Sequence, residues 1–289
     1  MLPVLAVFGG AMIWGLVAGP IGAAIFGGEP FIPVPHVELA PPTLFTIGAF
    51  HVTNTLLSAW LTTALVLLLF VGGTRKMRVI PGRLQSVLEM LIEALYNFVK
   101  GVSGERYARS FFPILATMFI FVAFNAWMAL LPFYPTVGFK EGGTFFQGPV
   151  TTHLLRSAAT DINLPIALAI IAFMFAEVWG FKVHKVSYLK EFFRGPNPIQ
   201  TFVGLLELVS HFIRLISFTF RLFGNMVAGE IVLGLMTFLL VFLVPIAFYG
   251  LEILVGGVQG LIFMGLTLVF TVMAVAPHEG HEEEHSAAA

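Results

Sequence analysis

Residues 214–230 read RLISFTFRLFGNMVAGE and carry Arg214, Arg221 and Glu230 inside one of the most apolar regions of the chain. Arginine stays protonated in proteins, so both guanidinium groups are permanent cations. A central arginine costs about 2.5–3.5 kcal/mol on membrane-insertion scales, and ionisable residues within membrane segments usually serve a function. The stretch therefore predicts a membrane helix whose charged side chains serve a function.

The whole chain is too poor in charge to cover the surface of a water-soluble domain. Of its 289 residues, 58% are hydrophobic and only 11% are charged, whereas soluble domains average about 25% charged residues. We therefore predict an all-α integral membrane protein. The net charge of -1 argues against a nucleic-acid partner. Because the sequence has no cysteine, disulfides and cysteine-based metal sites are excluded, and we expect no cofactor and no metal.

Six apolar segments follow one another, and about 20 such residues cross a bilayer. The first is either a spanning helix or a signal sequence without the usual basic start, and a proline-rich linker follows it. The fifth runs for nearly 50 residues without a polar loop. A single helix there must tilt steeply or bend, and Pro245 is one place for a bend. The segments lie at 3–27, 50–72, 111–132, 163–181, 200–248 and 250–276.

A further helix is expected at residues 80–109. One side carries Leu84, Leu88, Leu91, Leu95 and Phe98 near helical spacing, and another side carries Gln85, Glu89, Glu93 and Asn97. This pattern indicates an amphipathic helix that lies at the membrane interface. We thus predict about five core membrane helices plus this interfacial helix, with the last two long and steeply tilted as a hairpin, and an additional apolar segment at the N terminus.

Lysine and arginine predict the orientation, because loops rich in them face the cytoplasm. The loops after the second and fourth segments are basic, and the loop at 133–162 holds only Lys140 and Arg156. We expect the first two inside and the third outside, and counting crossings puts the C-terminal tail in the cytoplasm. The inside residues are Arg75, Lys76, Arg78, Arg83, Lys100, Arg106, Arg109, Lys182, Lys185, Lys190 and Arg194.

The ionisable residues of the last two segments follow a helical order. Glu207, Arg214 and Arg221 are seven residues apart and share one stripe, and Asn225 lies one turn beyond Arg221. Glu230 lies nine residues after Arg221, about 900° of rotation, and hence on the opposite face. Arg221 has no carboxylate three or four residues away, so its partner is expected from another helix or another chain. The alternative is that these charges face bundle interiors or snorkel to an interface.

The run RLFGNMVAGE, residues 221–230, resembles the signature of subunit a of F-type ATP synthases, the stator side of the Fo proton motor. The resemblance covers about residues 45–276 and implies a membrane domain there, between an N-terminal part at 1–44 and a polar tail at 277–289. Other similar stretches are IPGRLQSVLEMLIEALYNFVKG (80–101), FNAWMALLP (124–132), DINLPIALAI (161–170), LLELVSHFIRLISFTFRLFGNM (205–226) and LVGGVQGLIFMGLTLVF (254–270).

The resemblance implies that Arg221 is the family's essential arginine, facing the carboxylates of a rotor ring of c subunits. Two half-channels would lead protons to and from the ring, and Arg221 would prevent a direct leak. A lysine could lose its proton when buried and would fail in this role. Glu230 and Glu252 would relay protons, with Glu252 and Gln259 in the entrance path. Asn225, Glu207 and Arg214 match further polar positions of the family.

The sequence also departs from the family pattern. Many relatives pair one histidine with one carboxylate across positions 230 and 252, whereas both residues are glutamate here. Ala129 stands where some relatives have an acidic residue just before Leu-Leu-Pro. The outer path is therefore expected to be lined differently in this chain.

Several polar residues leave two interpretations open. Gln259 serves either the entrance path or an interhelical hydrogen bond, and His211 is either a channel residue or a satisfied interior histidine. Asp161 and Asn163 stand at a helix start, where Asp161 either caps the helix or lines the outer channel. Glu177 either approaches the cytoplasmic exit or snorkels. HEEEH at 281–285 formally matches a zinc-protease pattern, but we expect a solvated tail.

We predict ion translocation as the stator subunit of an F-type ATP synthase. The expected partners are the c ring, b-type peripheral stalk subunits, the F1 head and the lipid bilayer, and the expected ion is H⁺ rather than Na⁺. The expected location is a bacterial inner membrane, with a plastid thylakoid membrane as the alternative. No P-loop is present, so the chain does not hydrolyse ATP itself. The rival hypotheses are a secondary transporter that uses Arg221 as an anion site and a membrane scaffold without transport.

Overall fold

The computed structural model describes residues 10, 13, 14, 17, 19–26, 40–48, 50–75, 77, 79–134, 137–140, 150–185, 198–240 and 244–276. Within them the chain divides into two compact units. Unit 1 comprises Met1–Lys76, Ile120–Pro165 and Phe220–Leu261, and unit 2 comprises Met77–Phe119, Ile166–Thr219 and Ile262–Ala289. Most of the predicted segment at 3–27, the tail at 277–289, Lys190 and Arg194 lie outside the described residues.

The described part of the chain is built mainly of long helices. Two short antiparallel hairpins and one 3₁₀ turn lie in the connections, and the sequence pattern had not predicted the hairpins. The helices are α1 (Pro20–Phe26), α2 (Asn54–Thr74), α3 (Arg83–Ala129), α4 (Asn163–His184), α5 (Pro198–Leu239) and α6 (Val244–Val275). The strands are β1 (Thr43–Ile47), β2 (Phe50–Thr53), β3 (Gly138–Lys140) and β4 (Val150–His153), and the 3₁₀ turn is Ala158–Thr160.

Five of the described helices, α2 to α6, contain a stretch long and apolar enough to cross a membrane. The predicted all-α membrane protein is therefore confirmed.

The second predicted segment began too early, because residues 50–53 form β2. α2 begins only at Asn54, where the extended residue Thr53 caps it by accepting a hydrogen bond from the backbone N–H of Leu56 at 3.3 Å.

α3 consists of two helices that join at Gly104, whose backbone angles are φ 74° and ψ 169°. The part before Gly104 is the predicted amphipathic helix. It buries Leu88 and Leu95 of the predicted apolar side and exposes Glu89 on the other side. Leu84 and Phe98, also expected on the apolar side, are 50% and 38% exposed, so the structure shows the predicted difference between the two faces only in part. Its position at the membrane interface stays a prediction.

The fifth predicted segment was wrong in its end point. The helix stops at Leu239, and α6 already begins at Val244, so Pro245 lies in the first turn of α6. Proline has no backbone N–H, and the first N–H groups of a helix have no intrahelical acceptor, so proline fits there at little cost. Pro245 therefore belongs to a helix start rather than to a bend within a continuous helix.

Each unit has its own core. In unit 1, Met128, Tyr134 and Leu155 pack together. In unit 2, Phe111 of α3 makes an edge contact with Trp179 of α4, with ring centroids 5.0 Å apart. Aromatic pairs of this kind contribute about 0.5–1.5 kcal/mol beyond their burial. α4 is thereby fixed against α3, which matters because Glu177, two residues before Trp179, is the α4 partner of His211.

The junction in α3 gives a first testable prediction. Replacing Gly104 with alanine should lower the midpoint of thermal unfolding of the purified chain in detergent, measured by circular dichroism. The backbone of Gly104 lies in a region that only glycine adopts easily, so we expect a cost of about 1–3 kcal/mol. No atom lies within 4 Å of an added β-carbon, so the loss would come from backbone strain and not from a clash.

Gly101 is the matched control, because it lies in the same helix, also has no atom within 4 Å of an added β-carbon, and has no positive φ. Alanine there should leave the midpoint unchanged or raise it, since alanine favours a helix over glycine by about 1 kcal/mol. Equal effects of the two alanines would contradict the role given to Gly104.

Candidate functional site

An ion pair of unit 1 joins Glu230 of α5 to Arg156, which precedes the 3₁₀ turn. Arg156 Nε donates to Glu230 Oε1 at 3.1 Å and to Oε2 at 3.2 Å, and Nη2 donates to Oε2 at 3.1 Å. The Arg156 side chain is only 10% exposed, and that of Glu230 is 44% exposed. Two guanidinium nitrogens on one carboxylate fix the geometry as well as the charge, so Glu230 faces a fixed cation.

Arg156 is a site residue that the sequence pattern did not reveal. In the sequence it counts only as one of two cations in a loop of residues 133–162, and it stands 74 residues before Glu230. Its backbone is also anchored, because the N–H of Arg156 donates to Ser58 Oγ at 3.0 Å. The guanidinium is thus presented from a held backbone and not from a free loop.

Glu252 of α6 lies against α5 at Gly229. A β-carbon added to Gly229 would overlap the Glu252 carboxylate, so this carboxylate uses the space that the missing side chain leaves. Gly229 directly precedes Glu230. The two predicted relay residues therefore approach the same turn of α5, and only Glu230 has Arg156 as its salt-bridge partner.

Asn225 and Gln259 connect the same two helices. Asn225 Nδ2 donates to Gln259 Oε1 at 2.6 Å, so the interhelical hydrogen bond considered for Gln259 is present. Gln259 is only 2% exposed, and its Nε2 has no protein acceptor among the described residues. The Oε1 of this buried amide already accepts a hydrogen bond, but its Nε2 can still donate to a further polar partner such as water.

Close helix packing brings α6 to α3 within unit 1. A β-carbon at Gly256 would come within 2.7 Å of the Ala126 side chain, so only glycine allows this approach without a shift. Trp127 Nε1 donates to the carbonyl oxygen of Ile253 at 2.9 Å across the same contact. The glycine at position 256 of GGVQG therefore serves helix packing.

Asp161 holds the start of α4. Its Oδ1 accepts from the backbone N–H of Asn163 at 3.1 Å and from Asn163 Nδ2 at 2.8 Å. Its Oδ2 accepts from the hydroxyl of Thr55 on α2 at 3.0 Å. The carboxylate thus satisfies the first N–H of α4, which is the capping interpretation of Asp161, and also ties α4 to α2.

Unit 2 contains a second titratable pair. His211 Nδ1 of α5 lies 2.7 Å from Glu177 Oε1 of α4, and the two side chains are only 12% and 13% exposed. The ring of Phe173 meets the His211 ring edge-on, with centroids 6.1 Å apart. Glu177 therefore does not snorkel to a distant interface. His211 is an interior histidine with a hydrogen-bonding partner, which sequence spacing could not reveal.

Arg214, Glu207 and Arg221 are partly buried on α5. The guanidinium of Arg214 lies over the ring of Phe270, 3.7 Å from its centroid, which is a cation–π contact. Before Arg221, α5 exposes a series of large apolar side chains. These are Phe212, Ile213, Ile216 and Phe220, at 62%, 59%, 53% and 58% exposure.

The predicted site residues fall into two groups that coincide with the two units. In unit 1 the predicted residue Glu230 pairs with Arg156, which had not been predicted, and in unit 2 the predicted residues Glu177 and His211 pair with each other. Within the described ranges, no three His, Asp or Glu side chains come together as a metal site. Unit 1 holds Asp161, Asn163, Arg221, Asn225, Glu230, Glu252 and Gln259, and unit 2 holds Glu177, Glu207, His211 and Arg214.

Comparison with known proteins gives a consistent set of relatives. A family model described as ATP synthase A chain matches residues 56–272. The ATP synthase subunit a of Gloeobacter violaceus is 31% identical over 262 residues, which cover 90% of this chain and 99% of the relative. That of Helicobacter pylori is 31% identical over 245 residues, which cover 82% of this chain and 98% of the relative.

The contacts of Asp161 give a second prediction. Replacing Asp161 with alanine should lower the midpoint of thermal unfolding of the purified chain in detergent, by an amount equivalent to about 2 kcal/mol, since hydrogen bonds to charged groups contribute about 1.5–3 kcal/mol. Asp161→Asn is the control, because its oxygen can still accept from Asn163 and its amide can donate to Thr55. A midpoint for the alanine variant equal to that of the unchanged chain would refute this role of Asp161.

Proposed function

The chain belongs to the ATP synthase A chain family, and from this membership we propose a proton path through its membrane helices. It is the stator subunit of the Fo proton channel, it works within an ATP synthase complex, and it holds no catalytic site of its own. It is a multi-pass membrane protein. In the proposal, residues 45–276 form the membrane domain, and residues 1–44 and 277–289 flank it.

The two groups of site residues are assigned to two half-channels. The group in unit 1, with Arg156 and Glu230, serves the outer half-channel, and the group in unit 2, with Glu177 and His211, serves the cytoplasmic one. The observation that carries this assignment is that the chain divides into two compact units, each with its own ionisable pair. The lysine near the end of α4 and the scarcity of lysine in residues 133–162 support the assignment of unit 2 to the cytoplasmic half-channel and of unit 1 to the outer one.

Arg221 acts in the proposal on the carboxylate that each rotor subunit carries. Two unit charges 4 Å apart attract with about 4 kcal/mol at an effective dielectric constant of about 20, which favours the ionised carboxylate by about 10³-fold. A rotor carboxylate that reaches Arg221 is thus driven to release its proton. In chain order Arg221 follows His211 and precedes Glu230, and its positive charge repels protons that would cross directly.

Glu230 and Glu252 divide their roles in the proposal. The bidentate contact with Arg156 compensates the charge of Glu230, so Glu230 serves as a fixed acceptor that orients hydrogen bonds. Glu252 has no such cation in its described contacts and lies half-buried beside Gly229. Glu252 is therefore the group that takes up and passes on the proton. Gln259 lies two turns after Glu252 on α6 and accepts a hydrogen bond from Asn225 of α5.

The remaining partners follow from the exposed surface and from the family. The apolar side chains of α5 that precede Arg221 are the surface on which we place the rotor ring of c subunits. The b-type peripheral stalk and the F1 head complete the complex, and the translocated ion is H⁺. The relatives of Gloeobacter and Helicobacter support a bacterial inner membrane over a plastid thylakoid membrane.

The test of this function is the replacement of Arg221 by alanine in the complete complex. We expect the complex to assemble and to copurify with rotor ring and ATPase head, while ATP-driven acidification of inverted membrane vesicles falls below about 5% of the unchanged complex, a loss of about 2 kcal/mol or more in coupling. Arg221→Lys should fail as well, because a buried lysine can lose its proton.

Other outcomes would favour the rival functions. Loss of assembly with no specific loss of pumping would indicate a scaffold. Uptake of an anionic solute that depends on Arg221, in vesicles without an ATPase head, would indicate a secondary transporter. Normal acidification by the alanine variant would remove the basis of the proposed function.

The contact of Glu252 with Gly229 gives a fourth prediction, on proton transfer. Gly229→Ala should displace the Glu252 carboxylate, because the added methyl group takes the space that this carboxylate occupies. The carboxylate is the end of a flexible side chain, so the complex should still assemble. We expect ATP-driven proton pumping to fall about tenfold, which corresponds to about 1.4 kcal/mol.

Gly224→Ala provides the control for this measurement. Gly224 lies in the same helix, five residues earlier, and an added β-carbon there meets no atom within 4 Å. This variant should pump protons at the rate of the unchanged complex. If both alanines reduced pumping equally, the effect would arise from α5 itself and not from Glu252.

A further inference from the structure

A group of aromatic rings joins α3 to α4 within unit 2. Trp179 of α4 meets Tyr107 of α3 edge to face, with ring centroids 6.3 Å apart and an angle of 83° between the ring planes. Behind this pair, Phe111 is fully buried and Phe175 is 8% exposed, and both contact Trp179. Tyr107 and Trp179 are themselves half-buried. The two rings therefore form a fixed outer edge of the contact between the helices.

Two cationic side chains lie over these two rings. Lys182 Nζ is 4.2 Å from the centroid of the Trp179 ring, and the guanidinium carbon of Arg106 is 5.4 Å from the centroid of the Tyr107 ring. Both distances lie within the range of cation–π contacts, and both side chains are exposed. The rings thus hold two exposed cations on either side of one aromatic pair, and we call Arg106 and Lys182 the α3–α4 cation pair.

No carboxylate compensates the charge of the α3–α4 cation pair. Glu105, the neighbour of Arg106 in sequence, binds Lys100 at 2.7 Å instead. Glu177 on α4 has His211 as its partner. Among the described residues, neither member of the cation pair forms a salt bridge. The two positive charges are therefore available to an anion that comes from outside the chain.

The position of Lys182 along α4 indicates which anions can reach it. α4 has 22 residues, which rise about 33 Å, close to the hydrocarbon thickness of a bilayer, about 30 Å. Lys182 lies in the last turn, so its Nζ reaches the depth of the lipid headgroups, where tryptophan and tyrosine are also enriched. The anions at that depth are the phosphates of lipids. The basic loops predict that this end of α4 faces the cytoplasmic leaflet.

An exposed apolar surface leads from Lys182 toward the middle of the membrane. Ile171, Met174 and Val178 are 51%, 51% and 55% exposed, and their spacing of three and four residues places them on one face of α4, with Lys182 one turn beyond Val178. We call these three residues the α4 apolar stripe. From Ile171 to Lys182 the helix rises about 16 Å, which is about half of the hydrocarbon core and hence one leaflet. The stripe therefore has the length of one lipid acyl chain.

We propose that the α3–α4 cation pair and the α4 apolar stripe form a binding site for one anionic phospholipid. The lipid phosphate lies against the two cations above the aromatic pair, and one acyl chain lies along the stripe. Basic pockets between membrane helices are known to bind anionic headgroups. A zwitterionic lipid is disfavoured because its headgroup brings a cation of its own, which the pair repels. The bound lipid bridges α3 and α4, and this inference does not depend on the proposed proton path.

Selective binding can be measured by native mass spectrometry of the purified full chain. The chain in detergent is mixed with equal amounts of phosphatidylglycerol, which is anionic, and phosphatidylcholine, which is zwitterionic. We expect the one-lipid adduct to contain mainly phosphatidylglycerol. Lys182→Gln should lower the affinity for phosphatidylglycerol about tenfold, because it removes a charge-assisted contact with the phosphate. Lys182→Arg keeps the charge and should retain the binding.

Arg83→Gln is the control for a general effect of charge. Arg83 is an exposed cation at the start of α3, and within the described ranges it lies over no aromatic ring. This variant should bind phosphatidylglycerol as the unchanged chain does. Arg106→Gln should weaken binding as Lys182→Gln does, and it provides a second variant should Lys182→Gln fold poorly. Equal losses in Arg83→Gln and Lys182→Gln, or equal binding of the two lipids by the unchanged chain, would overturn the inference.

A photochemical cross-link shows what covers the α4 apolar stripe in the complete complex. Val178 is replaced by the photoreactive residue p-benzoylphenylalanine, and membranes that contain the complex and phosphatidylglycerol are irradiated. We expect the chain to gain the mass of one phosphatidylglycerol molecule, and to gain it much less often when Lys182→Gln is also present. A cross-link to another subunit in place of the lipid would show that a protein helix occupies the stripe and would refute the lipid site.

Discussion

Charges inside a membrane must be compensated, and in this chain the compensation comes from other helices and loops. An isolated charge in hydrocarbon is so costly that it either finds a partner or stays at the interface. Glu230 meets Arg156, and Glu177 meets His211, through contacts between residues 74 and 34 positions apart. These contacts tie Glu230 of α5 to the segment before the 3₁₀ turn and His211 of α5 to Glu177 of α4.

The hydrophobic pattern was sufficient to predict the helices, because membrane helices need only length and apolar composition. The same reasoning failed at α5 and α6, where apolar residues continue in the sequence from one helix to the next and only the preference of proline for a helix start marks the boundary. It also missed the two hairpins, since short strands in polar connections carry no strong periodicity.

The sequence named candidate site residues but not the contacts between them. Helical spacing placed Asn225 and Gln259 on defined faces, yet whether those faces meet depends on tertiary packing. Arg156 could not be found because a loop arginine has no spacing to interpret. The sequence gave no signal for Gly229 either, because its role depends on the Glu252 carboxylate, which lies against it only in the folded structure. Contacts between residues far apart in the sequence therefore could not be predicted from this single sequence.

The two ionisable pairs differ in chemistry, and under the proposed function they stand at the two ends of the proton path. Arginine cannot give up its proton, so Arg156 remains a cation beside Glu230, and its two nitrogens fix the orientation of that carboxylate. The other pair rests on one contact, with His211 Nδ1 2.7 Å from Glu177 Oε1, and a histidine ring nitrogen can either donate or accept a hydrogen bond. The proposed path therefore has a permanent cation at its outer end and a pair with adaptable hydrogen bonding at its cytoplasmic end.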